Sequence, residues 1–251
     1  MHRHELSDAE WARIGPLLPA ETGRRGRPAD LPNRTFMNAI FYIAKTGVPW
    51  RDLPERFGPW HTIHNKFTRW NRKKVFQRIL DEFKKGAAHD SNMVDGSYPK
   101  AHQDAAGGKG GPKVSVLDAL AEGLTTKIHA LVDSLGRPLH IHLTAGNIHD
   151  VTEAPTLIAA AEGKSFIADK GYDSNAVVDA IQQRGMKVVI PPKSNRNDKR
   201  KFSRKLYRTR HFVENFFCKI KRYRRVATRY DKTSTNFLGF VLFAAVRVWL
   251  A

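Results

Sequence analysis

Cysteine is almost missing from this chain: Cys218 stands alone among 251 residues. That excludes an internal disulfide and any cysteine-rich zinc module. Long hydrophobic runs are missing too. The most apolar stretch, Phe237 to Ala251, is too short to cross a bilayer and carries Arg247. The opening MHRHELSDAEW is charged and holds no apolar signal segment. Acidic residues are scarce, 24 against 43 Lys and Arg, which leaves a net charge of +19. Core material is not scarce: 41% of the residues are hydrophobic and 10% aromatic, which excludes wholesale disorder. The expectation is a soluble, cytoplasmic protein with an anionic partner.

The charge is clustered. Residues 1–88 carry +8, residues 196–225 (RNDKRKFSRKLYRTRHFVENFFCKIKRYRR) carry +11, and the remainder is neutral. A surface charged only for solubility needs no such clustering, whereas a polyphosphate track does. Aromatics interleave with the second cluster (Phe202, Tyr207, Phe212, Phe216, Phe217, Tyr223), so a folded surface is expected rather than a tail. The alternative is a solvated basic helix. Nucleic acid is the favoured partner.

Helix signals dominate the first part. Ser7 with Glu10 forms a capping box, flanked by Leu6 and Trp11 at the staple positions. After a Gly/Arg/Pro-rich loop (22–32), Asn33 is placed to cap a second helix, with Phe36, Ile40, Ile43 and Ala44 on one face and Gly47 as the stop. Pro59 to Trp70 reads as a third helix, Ile63, Phe67 and Trp70 inward, Lys66 and Arg69 outward toward DNA. Val75, Ile79 and Phe83 mark a fourth. Residues 1–88 thus read as an all-helical DNA-binding domain of helix-turn-helix type, with a plain helical bundle as the alternative.

Beyond residue 88 strand patterns take over. Asn92–Asp95, Thr125–Val132, Pro138–Thr144, Ser165–Ala168 and Lys187–Ile190 are expected strands. Asp150–Glu162 and a helix capped by Ser174 and stopped at Gly185 lie between them. Two long helices, about Thr209–Arg225 and Ser234–Leu250, close the chain. The order gives residues 89–251 a mixed α/β sheet with helical flanks.

Three acidic residues stand out by position: Asp95 ends the first strand, Asp169 follows the apolar run Phe166-Ile167-Ala168, and Glu214 sits among Phe212, Val213, Phe216 and Phe217. Two strand-end carboxylates and one helix carboxylate can meet at one spot, and their oxygens suit Mg²⁺ or Mn²⁺. Acidic residues at strand ends are also common without such a role. His140 and His142 share a strand face near His129 and His149, but no spaced His–Glu motif supports zinc, and ordinary strand histidines are the reading adopted. Cys218 is expected to be a packed small residue.

Tyr207, Arg210, Glu214 and Lys221 stand as Y-x2-R-x3-E-x6-K, which resembles the signature of DDE transposases of bacterial insertion sequences. VDGSYPKAHQDAAG (94–107), TTKIHALVDSLGRP (125–138), TAGNIHD (144–150) and DKGYDS (169–174) are similar to the insertion-sequence-five group. So are LSDAEWARIGPLLP and GVPWRDLPERFGPWHTIHNKFTRW of the N-terminal part. The resemblance spans nearly the whole chain. It implies a ribonuclease-H-like fold, a metal-binding catalytic triad of Asp95, Asp169 and Glu214, and Mg²⁺ (or Mn²⁺) as cofactor. It further implies hydrolysis at the element's terminal inverted repeats, attack of the freed 3′-hydroxyl on target DNA, and a homo-oligomer on DNA in the bacterial nucleoid. Tyr207, Arg210 and Lys221 would contact DNA; on one helix Arg210, Glu214 and Lys221 share a face.

One segment departs from the group. A stretch like QCIGRSRGG is expected just before LTTKIHAL, but residues 115–123 read SVLDALAEG, with acids in place of paired arginines. The codons CAG TGT ATT GGA CGC TCT CGC GGA GGG C encode the expected stretch. Read one base on, they become AGT GTA TTG GAC GCT CTC GCG GAG GGC, which is SVLDALAEG. Two compensating single-base changes would account for all of it, with ordinary divergence as the alternative. Such a copy would be a catalytically impaired, DNA-binding relic.

Overall fold

The computed structural model describes residues 3–21, 31–105, 118–120, 123–197 and 199–251. Helices α1 (Asp8–Ile14), α2 (Asn33–Thr46), α3 (Trp60–Arg72) and α4 (Val75–Phe83) form the first part. The capping box holds: the Ser7 hydroxyl accepts from the Glu10 N–H, and the Ser7 N–H donates to the Glu10 carboxylate. Gly47 ends α2 in the left-handed region at φ 77°, where a Cβ would be strained. Asn33 does not cap α2; Pro32 occupies that position, and the Asn33 side chain donates instead to the Pro19 carbonyl at 2.8 Å.

Strands β1 (Asn92–Ser97), β2 (Lys100–Ala101), β3 (Asp118–Leu120), β4 (Gly123–Val132), β5 (Pro138–Ala145), β6 (Ser165–Ile167), β7 (Lys187–Val189) and β8 (Thr228–Arg229) make one mixed sheet. Its main body runs β5–β4–β1–β6–β7, with β4 antiparallel to β1 and β5, and β1, β6 and β7 mutually parallel. That order is ribonuclease-H-like. Helices α5 (Asp150–Ala159), α6 (Asn175–Gln183), α7 (Arg204–Tyr207), α8 (His211–Lys221), α9 (Arg224–Ala227) and α10 (Ser234–Leu250) flank it. The expected single helix over 209–225 is broken: Tyr223 leaves helical geometry (φ −92°, ψ 111°) and its ring is buried against Phe41 and Phe243.

α10 is the central pillar. Its buried residues include Phe237, Phe240, Phe243, Val246 and Trp249, so it is apolar nearly all round, as a core helix must be. It packs on α3 and α4 on one side and on β5 and α8 on the other. Asn71 of α3 donates to Asn236 of α10 at 3.1 Å, and Asn236 donates to Thr68 at 3.1 Å. Among the described residues no helix is long and apolar enough to cross a membrane. Segment 115–123 lies outside the described residues apart from the backbone of 118–120 and 123. There Asp118, Ala119 and Leu120 pair with Thr125, Leu124 and Gly123.

Candidate active site

Parallel pairing of β1 and β6 sets Asn92 beside Phe166 and Met93 beside Ile167. Continuing that register carries Asp95 and Asp169 to the same end of the sheet. Asp169 caps the short turn that follows β6, its carboxylate accepting from the Gly171 N–H at 2.9 Å. Asp95 accepts from the Gly96 N–H at 2.9 Å and from Arg210 Nη2 at 2.7 Å. The same guanidinium reaches Glu214 of α8 through Nη1. Arg210 is thus a fork between two carboxylates, a geometry that guanidinium suits better than ammonium.

Burial raises the Asp95 carboxyl to about 6. Arg210 and the Gly96 N–H pull it down, while Asp169 and Asp150 push it further up. Asp95, Asp169 and Asp150 therefore feel one another's charge, and Arg210 is the cation shared by Asp95, Glu214 and Asp169. Tyr172, buried beneath, is held protonated by burial and by Asp150, Asp95 and Asp169, and its hydroxyl has no hydrogen-bond partner.

A second ion pair supports the first. Lys127 of β4, buried, lies 2.9 Å from Asp150, the first residue of α5, and donates to the Ile148 carbonyl at 3.1 Å. Both sit against Gly96: a Cβ there would meet Asp150 Oδ1 at 2.5 Å and Lys127 Cε at 2.9 Å. Glycine is required for this close approach. Sequence reading did not single out Lys127, Asp150, Gly96 or Tyr172. A lysine at the centre of the apolar strand TTKIHAL was the available signal.

Among the described residues, no three His, Cys, Asp or Glu side chains are gathered as a ready metal cage. Glu214 is turned to Arg210 and is half exposed. Asp95 and Asp169 are nonetheless hard oxygen donors, and the Asp95 carboxyl is raised by burial first, with Asp169 adding to it. Their chemistry fits a divalent cation.

Comparison with known proteins fits the same frame. A model described as "Transposase DDE domain" matches residues 84–249, two thirds of the chain. The chain belongs to this family. A second model, "Putative transposase of IS4/5 family", matches residues 6–80 of this transposase. The "Putative transposase for insertion sequence element IS6501" of Brucella ovis is 40% identical over 130 residues, 51% of this chain and 99% of that one. The "Transposase for insertion sequence element IS1106" of Neisseria meningitidis serogroup B is 31% identical over 107 residues, covering 40% of this chain and 37% of its own. A solved Mos1 transposase paired-end complex overlaps 79% of this chain and 80% of its own, at 13% identity and a TM-score of 0.28. The ribonuclease-H-like description of the transposase rests on its strand order rather than on that overlap.

The remaining expected site residues divide. Lys221 is exposed at the end of α8, and Tyr207 is half-buried with its ring edge-on to Phe202 at 5.6 Å. Arg69 is exposed on α3. Lys66 is not: its ammonium is buried, donates to the Leu31 carbonyl at 3.0 Å, and lies over the rings of Phe36 and Trp70. Lying three residues after Ile63 and four before Trp70, it falls within the apolar arc of the helix, where a lysine stem packs well. Cys218, expected to be packed, is exposed. The histidines engage neighbours: His129 meets Thr144 at 2.8 Å, and His142 meets Glu153 at 2.9 Å.

Part of the basic cluster is likewise spent internally. Arg196 and Arg200 bind buried Asp173, Arg210 binds the acidic patch, and Arg225 is buried. Lys201, Arg204, Arg208, Lys219, Lys221 and Arg222 remain exposed.

The contrast between the two α3 cations is testable. Arg69→Ala is expected to weaken duplex binding about fivefold and to lower the slope of log affinity against log salt by about one. Lys66→Met is expected to change neither, by fluorescence anisotropy at several salt concentrations. Burial lowers Lys66 to about 8, so the folded chain holds fewer protons than the unfolded one between there and the ordinary lysine range. Wild-type stability therefore gains from Lys66 as pH rises through that window, and Lys66→Met removes the gain.

Proposed function

We propose that this transposase binds the terminal inverted repeats of its own element, cleaves them in a metal-dependent reaction, and joins the freed 3′ ends to target DNA. The observation that carries this reading is the meeting of Asp95, Asp169, Arg210 and Glu214 at one end of the sheet, beside an exposed basic face. Asp95, Asp169 and Glu214 would hold Mg²⁺ or Mn²⁺, and Arg210, which bridges Asp95 and Glu214, would lie beside it. The bound cation supplies charge neutralisation at the scissile phosphate and activation of the attacking oxygen. Lys127 and Asp150 hold β1 in register so that Asp95 faces the site. Lys221 and its neighbours grip the flanking phosphates, and Arg69 adds contacts from the helical part.

The division of labour follows the chain: residues 1–88 for recognition of DNA, residues 89–251 for chemistry. Two ends must be held together for joining, so a homo-oligomer on DNA in the cytoplasm, at the nucleoid, is the working form. The test is a plasmid carrying the element's ends, incubated with the full chain and Mg²⁺. Cleaved and joined products that vanish with chelator are expected; cleavage without joining would make the protein a nuclease, and duplex binding without cleavage a relic.

The relic reading rests on residues 115–123, SVLDALAEG, which one set of codons for QCIGRSRGG yields when read one base on. A chain with that stretch restored is expected to cut at least tenfold faster if the copy is impaired. Equal rates would leave SVLDALAEG as the genuine segment of an active enzyme.

A further inference from the structure

Away from the acidic patch, a cavity of about 960 Å³ opens between the helical part and the segment joining α9 to α10. Its walls are aromatic. Trp50 lies on one side, and on the other the rings of Tyr230 and His102 lie 4.8 Å apart and 32° from parallel. Trp50, Tyr230 and His102 are each half-buried and line the cavity, with the Arg225 guanidinium 5.9 Å from the Trp50 ring and 5.1 Å from that of Tyr230.

The floor is charged and incompletely paired. Asp231 is 7% exposed, and its Oδ2 accepts no hydrogen bond; Arg225 Nη1 stands 4.0 Å from it, beyond bonding reach. Arg225 is 4% exposed, gives Nη2 to the Val48 carbonyl at 2.7 Å and leaves Nε without a partner. Arg229 is wholly buried and turns its donors to the Asp231 and Lys232 carbonyls and to Thr126. Arg225 and Arg229 thus both act on Asp231, and Arg225 also feels Asp104 at the cavity wall. Arg72 and Lys232 add exposed cations at its rim, while Asp104 is paired with His102 at 3.1 Å.

A fitting ligand has a flat ring for the walls, adjacent N–H donors for a free carboxylate oxygen, and an anionic tether for the rim. A nucleotide has all three. Bases taken out of a duplex are read by hydrogen bonds to the Watson–Crick edge and by stacking on aromatic side chains. Among the four, guanine sets a ring N–H and an amino group side by side, the pattern a carboxylate accepts best.

We propose that this cavity takes one extrahelical guanine deoxynucleotide of bound DNA, its ring among Trp50, Tyr230 and His102, its donor edge on Asp231 and its phosphate on Arg72 and Lys232. The inference rests on the DNA-binding reading above and adds a base-specific site to it.

The test titrates the full chain with dGMP, dCMP, dAMP, dTMP and inorganic phosphate by calorimetry, with duplex binding followed on the same preparation by anisotropy. Expected is dGMP bound at least tenfold more tightly than dTMP or phosphate. Trp50→Ala should lose at least tenfold in dGMP affinity with the circular dichroism spectrum unchanged, and Asp231→Asn should abolish the preference for guanine. If Asp231→Asn fails to fold, the wild-type preference and Trp50→Ala still decide. Equal affinities for the nucleotides and phosphate would reduce the cavity to an anion site and overturn the proposal. No dGMP binding at millimolar concentration would overturn it too. Duplex binding retained in that case leaves the DNA reading standing; duplex binding also lost removes both.

Discussion

Asp95→Asn is expected to lower cleavage of the element's ends by at least about 10³-fold, equivalent to roughly 4 kcal/mol of transition-state stabilisation. The substitution keeps the shape of the side chain and removes one acceptor charge from a patch in which Asp95, Asp169 and Glu214 share a single nearby guanidinium. Arg210 would then pair with Glu214 alone, and Asp169, in the turn after β6, would be left as the sheet-end carboxylate for a cation. Duplex affinity should stay within about twofold, because the loss lies in charge at the reacting phosphate and not on the basic face. Single-turnover cleavage and anisotropy, measured on one preparation, separate these effects. A variant that cuts at the wild-type rate would remove Asp95 from the chemistry and with it the site as drawn. Asp169→Asn is expected to match it, since effects within one catalytic unit do not add.

Much of this site was legible because it depends on order along the chain. An apolar run followed by an acid in two neighbouring parallel strands brings Asp95 and Asp169 to the same end of the sheet, although β1 does not stop at Asp95 as expected but continues to Ser97. The Ser7–Glu10 box and the stop at Gly47 were legible for a similar reason, being local chemistry. What escaped depends on tertiary contact. Arg210 reads as a phosphate grip from its spacing to Glu214, yet its other partner is Asp95, 115 residues away. Lys66 reads as exposed by residue type, but its position within the apolar arc buries it. Cys218 lies on the same exposed face as Glu214, which its small size does not reveal. The break at Tyr223 is invisible to periodicity because the residues on both sides are helix formers, and only the pocket of Phe41 and Phe243 turns the ring inward.

The same tertiary dependence governs whether the two parts can live apart. A chain beginning at residue 89 is expected not to fold cooperatively, although the sheet and all three acidic residues lie within it. The reason is α10. One side of this helix meets β5, where Trp249 Nε1 donates to the Pro138 carbonyl at 2.9 Å. Its other side is covered by the helical part: Phe240 lies 4.5 Å from Phe67 and 5.9 Å from Trp50, and Phe243 lies 6.0 Å from Phe76 and from Phe41. Removing residues 1–88 strips that cover. Uncovering Phe240 and Phe243 alone costs about 1.5–3 kcal/mol each, and Asn236 loses both its Asn71 and its Thr68 partners. Against a typical stability of about 5–15 kcal/mol, the exposed helix face is enough to favour aggregation or a loosely packed state. Thermal unfolding followed by near-ultraviolet circular dichroism should show no transition for the fragment and a single one for the full chain. Adding residues 1–88 as a separate polypeptide should restore it. A fragment that melts cooperatively within about 5 °C of the intact protein would mean that α10 is stable on the sheet alone, and that the helical part is an independent DNA-binding attachment rather than half of a shared core.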